Sequence, residues 1–109
     1  MPMNRIFYSS EAQTDLFDIR KYITKELENL VAVENTLSKI TKRIKMLEQH
    51  SGLGKPLSPV ASIDTDYRFL VCGNYLAFYY VDDIDVYVVR VLYGRRDYLK
   101  ILFGDVPKE

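Results

Sequence analysis

The chain reads YLAFYYVDDIDVYVVRVLYGRRDYLKILF from residue 75 to residue 103. Two runs of β-branched and aromatic residues, 75–81 and 86–93, are separated there by a short acidic turn. This pattern is typical of an antiparallel hairpin, and the nearly continuous hydrophobicity of both runs predicts inner strands of a sheet. We therefore expect this hairpin to form the centre of the fold.

Basic residues follow the second strand directly. Gly94, which can adopt backbone angles closed to other residues, precedes Arg95 and Arg96. Adjacent arginines are rarely buried without partners, so the strand is predicted to present them as a site for anions, nucleic acid or an acidic protein. The alternative is that both are ordinary solvated side chains and that Arg96 pairs with Asp97. The spacing alone leaves both interpretations open.

Upstream of the hairpin, the chain shows strand and helix patterns in turn. A short strand is predicted at residues 4–8, followed by an amphipathic helix at about 11–28 with Ser10 and Gln13 as its capping box. A second amphipathic helix follows after a short break and ends near His50, which favours an antiparallel helical hairpin. The lone histidine is interpreted as a helix cap and not as a catalyst.

The segment that connects the helices to the sheet has no periodic pattern. Residues 51–66 include glycines and prolines and are predicted to be a loop. Residues 67–72 form the next predicted strand, and a two-residue turn at Gly73 leads into the hairpin. The fold class is therefore predicted as α+β: an N-terminal strand, an antiparallel helical hairpin, a three-strand antiparallel meander forming one sheet, and a short C-terminal tail.

Composition limits the possible classes of protein. With 109 residues, of which 48% are hydrophobic and 28% charged, the chain is predicted to be a single globular domain, 1–109. It has no apolar run of about 20 residues and no signal-peptide pattern at its start, so we expect a cytoplasmic protein without membrane contact. The single cysteine, Cys72, is interpreted as a buried, inert thiol. No motif for a metal or a cofactor occurs, and neither is expected.

The distribution of the tyrosines has two interpretations, and the net charge limits one of them. Most of the nine tyrosines lie in the sheet half of the chain, where an open sheet face would suit stacking on bases or contact with a partner. The alternative is that they line the core and the sheet margins. The formal net charge is zero, so the whole molecule lacks the basic field that drives indiscriminate binding to nucleic acid.

Four segments together carry a family pattern. They are Ala12-x-x-Asp15-Leu16-x-x-Ile19-x-x-Tyr22-Ile23, Tyr67-Arg68, Asn74-Tyr75-Leu76-x-Phe78-Tyr79 and Arg90-Val91-Leu92-Tyr93-Gly94-Arg95-Arg96-Asp97-Tyr98. In this order they resemble the RelE/ParE superfamily of bacterial toxins, and the first and last are more similar to its ParE-like branch, often called plasmid-stabilisation proteins. The resemblance implies a toxin of a type II toxin–antitoxin pair that slows growth when it is free of its protein antitoxin.

Within that superfamily two targets compete. ParE-like members inhibit DNA gyrase, whereas RelE-like members cut messenger RNA on the translating ribosome without a metal. Resemblance to the nucleases would make Arg68 and Arg96 catalytic residues, with Tyr98, or alternatively Asp97, as a substitute proton donor. However, Leu76 stands where those nucleases carry an arginine, and their aromatic donor near the C-terminus is unmatched.

The sequence therefore favours a ParE-like toxin with gyrase as its target. A messenger-RNA endonuclease is the alternative, and a non-toxic module that binds protein or RNA on the same fold is a third hypothesis. The surface predicted to bind the target or the antitoxin comprises Arg90, Arg95, Arg96 and Lys100.

Overall fold

A five-stranded sheet organises the computed structural model, which describes residues 3–27, 30–61 and 64–104. Its strands are β1 (Arg5–Tyr8), β2 (Lys55–Pro56), β3 (Arg68–Cys72), β4 (Tyr75–Asp82) and β5 (Asp85–Tyr93). Their spatial order is β1-β5-β4-β3-β2. The predicted hairpin is confirmed as β4 and β5, and both strands have neighbours on either side.

Strand β1 lies at the edge of the sheet next to β5 and makes the sheet mixed. It pairs with β5 in parallel, with Arg5 opposite Asp85 and Tyr8 opposite Val88. The remaining strand pairs are antiparallel. A tight turn joins only antiparallel neighbours, whereas a helical connection can carry the chain across one face and return it in the same direction.

Four α-helices accompany the sheet in the described residues, and one is followed by a 3₁₀ turn. The helices are α1 (Ser10–Leu27), α2 (Leu30–Lys45), α3 (Ser58–Ala61) and α4 (Tyr98–Phe103), and the 3₁₀ turn Met46–Glu48 follows α2. The second helix is shorter than predicted, and His50 follows its 3₁₀ turn with its backbone N–H donating to Met46 O at 3.1 Å. The predicted break at Glu28 and Asn29 lies outside the described residues. No helix among the described residues is long and apolar enough to cross a membrane.

The cap of α1 is one residue earlier than predicted. Ser9, not Ser10, supplies the capping oxygen: its Oγ accepts a hydrogen bond from Ala12 N at 2.9 Å. The same hydroxyl donates to Val89 O at 2.7 Å. Either serine could cap a helix by local chemistry, but only Ser9 also reaches β5, and this contact fixes where α1 begins.

The two faces of the sheet carry separate cores. The core under α1 and α2 includes Ala12, Ile19, Ile23, Val33, Ile40, Ile44, Leu47, Leu70, Cys72, Ala77, Tyr79, Val86, Val88 and Val91. The core on the other face is built on Leu57, Phe78 and Leu92, with side chains of α4 packed against it. Burial raises the pKa of the Cys72 thiol to about 11, so the thiol is protonated at neutral pH, as its interpretation as an inert side chain requires.

The segment predicted as a loop contains β2 and α3, and its first part is held by a buried tyrosine. The Tyr79 hydroxyl accepts a hydrogen bond from Gly54 N at 2.9 Å and donates one to Ser51 O at 2.8 Å. A Cβ at Gly54 would lie 2.7 Å from both Phe69 O and the Tyr79 ring, so only glycine fits there. A two-residue strand carries no periodic pattern, which explains why the sequence did not indicate it.

Candidate functional site

Exposed basic side chains follow the end of β5, as predicted. Arg95, Arg96 and Lys100 are exposed, and we call them the basic cluster. The backbone of this turn is held by two hydrogen bonds, from Gly94 N to Asn74 O at 2.9 Å and from Arg96 N to Tyr93 O at 3.0 Å. Arg95 and Arg96 are therefore presented from an ordered turn, and Lys100 from helix α4.

Two sequence-based interpretations of this turn are corrected. Gly94 does not have a positive φ, whereas Gly73, Asp83 and Gly104 do; a Cβ at Gly94 would lie 3.3 Å from Asn74 O. The carboxylate of Asp97 does not form the proposed pair with Arg96, since it caps α4 by accepting a hydrogen bond from Lys100 N at 3.3 Å.

Arg90 is held apart from the basic cluster by a carboxylate that was named above only as part of the family pattern. Its guanidinium donates to both carboxylate oxygens of Asp15 in α1, each at 2.8 Å. Asp15 Oδ2 also accepts from Val91 N at 2.9 Å. Val91 follows the bulge between Val88 and Arg90, where the register of β4 and β5 shifts. The hydrogen bonds to Asp15 raise the pKa of Arg90. Arg90 thus ties α1 to the sheet.

Asp15 is the one buried charged residue of the described chain, with 7% of its surface exposed. A signal was present in the sequence: the apolar stripe of the first helix, which includes Ala12 and Ile19, brings Asp15 to the buried face. A carboxylate in that position requires a cationic or N–H partner, and the nearest predicted strand supplies both.

The guanidinium of Arg68 is likewise bound within the protein, by backbone carbonyls. Its Nη2 donates to Gly54 O at 2.7 Å and to Gly52 O at 3.2 Å, and its Nε also donates to Gly54 O. Alternate residues of a strand lie on the same face of the sheet, so Arg68 is on the face of Leu70 and Cys72. That face is the one that α1 and α2 cover.

The three residues of the alternative nuclease site do not converge. Arg68 lies opposite Tyr79 in β4, whereas Arg96 follows Tyr93, which lies opposite Tyr75. Four residues of β4 separate these two levels, or about 13 Å along the strand. Tyr98 is on the opposite face of the sheet from Arg68, because its ring packs against Phe78 at a centroid distance of 5.2 Å.

Five aromatic rings form a row on the second face of the sheet. Neighbouring rings stack in the order Phe7, Tyr87, Tyr80, Tyr67 and Phe103, with centroids 5.3, 5.1, 5.9 and 5.7 Å apart. The guanidinium of Arg5 lies 5.6 Å from the centroid of the first ring. Because these rings present their faces to one another, the row favours sheet packing over stacking on bases.

An open groove of about 960 Å³ lies between the helical hairpin and the end of the sheet that carries the basic cluster. Three of its components matter for function, and we name them by their residues: the tyrosine set (Tyr22, Tyr75, Tyr93), the acidic wall (Asp18, Glu26) and the basic rim (Lys39, Arg96). This groove was not predicted from the sequence. The signal was the spacing of Asp18, Tyr22 and Glu26, which at i, i+4 and i+8 share one face of α1.

The chain resembles known toxins in both sequence and structure. Its sequence matches the family described as ParE toxin of type II toxin-antitoxin system, parDE, over residues 6–98. A structure titled as the chromosomal ParDE toxin-antitoxin system from P. aeruginosa is similar, with a TM-score of 0.71, 19% identity and coverage of 84% of this chain and 96% of that one. A second, titled as the RelBE2 toxin-antitoxin complex from Mycobacterium tuberculosis, has a TM-score of 0.58, 18% identity and coverage of 85% and 99%. Comparison with curated proteins gives no match.

These matches and the mixed sheet with its helical hairpin define a toxin of the RelE/ParE superfamily. Within it, the chain belongs to the ParE toxin family of type II toxin–antitoxin systems.

Proposed function

We propose that this toxin arrests bacterial growth when it is free of a cognate antitoxin, that it acts in the cytoplasm, and that its target is DNA gyrase. Membership of the ParE family supports the first part. The structures it resembles are titled as toxin–antitoxin systems, which supports a protein antitoxin as partner. A role in plasmid stabilisation is the corresponding proposal at the level of the cell.

The observation that carries the choice of target is the separation of the candidate nuclease residues. Cleavage by a ribose 2′-hydroxyl requires a base, an acid and cationic groups around one phosphate. Each of these groups must lie within hydrogen-bond reach of the substrate atom on which it acts. Arg68 instead binds the carbonyls of Gly52 and Gly54, and Tyr98 lies on the other face of the sheet. The basic cluster remains as the charged surface with which this toxin would contact its target.

The choice of target is tested by two assays with the same purified toxin. We expect inhibition of gyrase supercoiling, and we expect no codon-positioned cuts in messenger RNA on translating ribosomes. A variant with both Arg95 and Arg96 changed to alanine serves as the matched loss-of-charge control in each assay. Codon-positioned cleavage that disappears in Arg68→Ala would contradict the proposal and identify a RelE-like nuclease.

The role of the basic cluster is tested in cells. We expect unpaired expression of the toxin to arrest growth and Arg96→Ala to relieve the arrest. The side chain of Arg96 is exposed, so its truncation should change the free energy of unfolding by only about 0.5 kcal/mol. Thermal melting of the purified variant checks that it is folded. Full toxicity of a folded Arg96→Ala toxin would remove this arginine from the functional surface.

A further inference from the structure

The groove beside the basic cluster carries charges that the proposed contact with gyrase does not use. Its lining includes Asp15, whose charge is neutralised by Arg90, and the two carboxylates of the acidic wall. Neither Asp18 nor Glu26 forms an ion pair with another described residue. Unneutralised carboxylates repel phosphate groups, so this wall does not suit nucleic acid, and they attract a cation.

Aromatic rings line the same groove as this wall. Tyr75 and Tyr93 are neighbours across β4 and β5, with ring centroids 5.7 Å apart and an edge-to-face angle of 71°. Tyr93 is 40% exposed, so a ligand in the groove can reach its ring. Tyr22, from α1, is 63% exposed and lines the same groove as Tyr75 and Tyr93. Burial, followed by the neighbouring phenols of Tyr22 and Tyr93, raises the pKa of Tyr75.

A cation near aromatic rings and carboxylates is held by both types of group. Guanidinium and ammonium groups bind over the faces of tyrosine rings, and arginine does so more often than lysine. The acidic wall extends from Asp18 to Glu26, about 12 Å along α1. That length matches an extended peptide of about four residues, which is larger than one free amino acid.

We propose that the groove binds a segment of the antitoxin that inserts an arginine or lysine side chain against the tyrosine set, with the acidic wall as its counter-charge. The basic rim on the same groove fits an acidic residue of that segment. The identity of the occupant rests on the proposed toxin–antitoxin function, whereas the chemistry of the groove does not. Contact with the basic rim would also cover Arg96, so a bound segment would block the surface proposed to contact gyrase.

The chemistry is tested first without any antitoxin, by nuclear magnetic resonance of the toxin with N-acetyl-arginine amide at millimolar concentration. We expect saturable shifts of the ring signals of the tyrosine set. These shifts should be lost in the double variant Asp18→Asn and Glu26→Gln, which we call the groove variant. They should be retained in the control variant Asp82→Asn and Asp83→Asn, which removes two carboxylates from the distant β4–β5 turn. Equal shifts in the groove variant, or equal shifts of these rings with N-acetyl-glutamate amide, would overturn the proposal.

The occupant is tested with the protein encoded by the open reading frame beside the toxin gene. We expect the groove variant to bind it about tenfold more weakly than the wild type and the control variant do, because it loses the two exposed counter-charges and keeps the aromatic rings. Undiminished binding to the groove variant would show that the antitoxin uses another surface. If the wild-type toxin binds no such protein, the antitoxin assignment fails, and the arginine titration still decides the chemistry of the groove.

Discussion

Asp15→Ala is expected to destabilise the toxin by about 3 kcal/mol, because it leaves the Arg90 guanidinium and the Val91 N–H without their partner in a mostly buried position. For a domain of this size that loss corresponds to a fall of roughly 15 °C in melting temperature. Urea unfolding followed by circular dichroism measures it. Asp18→Ala, one turn along the same helix and exposed, is the matched control and should stay within about 0.5 kcal/mol of wild type.

A double-mutant cycle separates the pair from its surroundings. Removing Arg90 together with Asp15 eliminates the unpaired charge, so the double variant should be less destabilised than the sum of the single variants. A loss below 1 kcal/mol in Asp15→Ala would mean that the ion pair does not hold α1 against β5.

The second large effect is expected at the other face of the sheet. Phe78 is fully buried, packs with Leu57 and Leu92, and contacts the ring of Tyr98 in α4. Phe78→Ala should cost about 3 to 5 kcal/mol, since the cavity it leaves cannot be filled by its neighbours in a sheet. Because α4 directly follows Arg95 and Arg96, its amide hydrogens should also exchange faster in this variant.

Two further variants serve as controls for Phe78→Ala. Phe17→Ala removes a phenylalanine that is 61% exposed on α1 and should leave stability within about 0.5 kcal/mol of wild type. Tyr98→Ala should accelerate exchange in α4 with a smaller loss of global stability than Phe78→Ala. Unchanged exchange in α4 for both variants would show that this helix is not held by the Phe78 contact.

Most of the architecture follows from periodic patterns. Alternation in β3 and the dense apolar runs of β4 and β5 indicated strands, and the stripes of α1 and α2 indicated a helical hairpin. The patterns did not indicate β2, whose pairing with β3 involves two residues, nor the parallel orientation of β1. Both depend on contacts between distant segments, and a local pattern carries no information about which strand will be the neighbour.

The candidate site divides in the same way. The sequence by itself determined that Arg95, Arg96 and Lys100 follow an inner strand and are exposed, since charged residues beyond the end of a hydrophobic run have no core to enter. It could not distinguish them from Arg90, another basic residue of the same stretch. Only the tertiary structure decided that Arg90 is bound by a carboxylate 75 positions earlier in the chain.

Arg68 and the groove show the same limit. The guanidinium of Arg68 is bound by carbonyls of a loop, and the groove joins α1 to the start of β4 and the end of β5. Side-chain type is encoded at each position, but whether a charge is free or already bound depends on partners that folding brings from far along the chain. The sequence therefore determined the main strands and helices and the family, and the tertiary structure decided which of the predicted charged residues are bound within the fold.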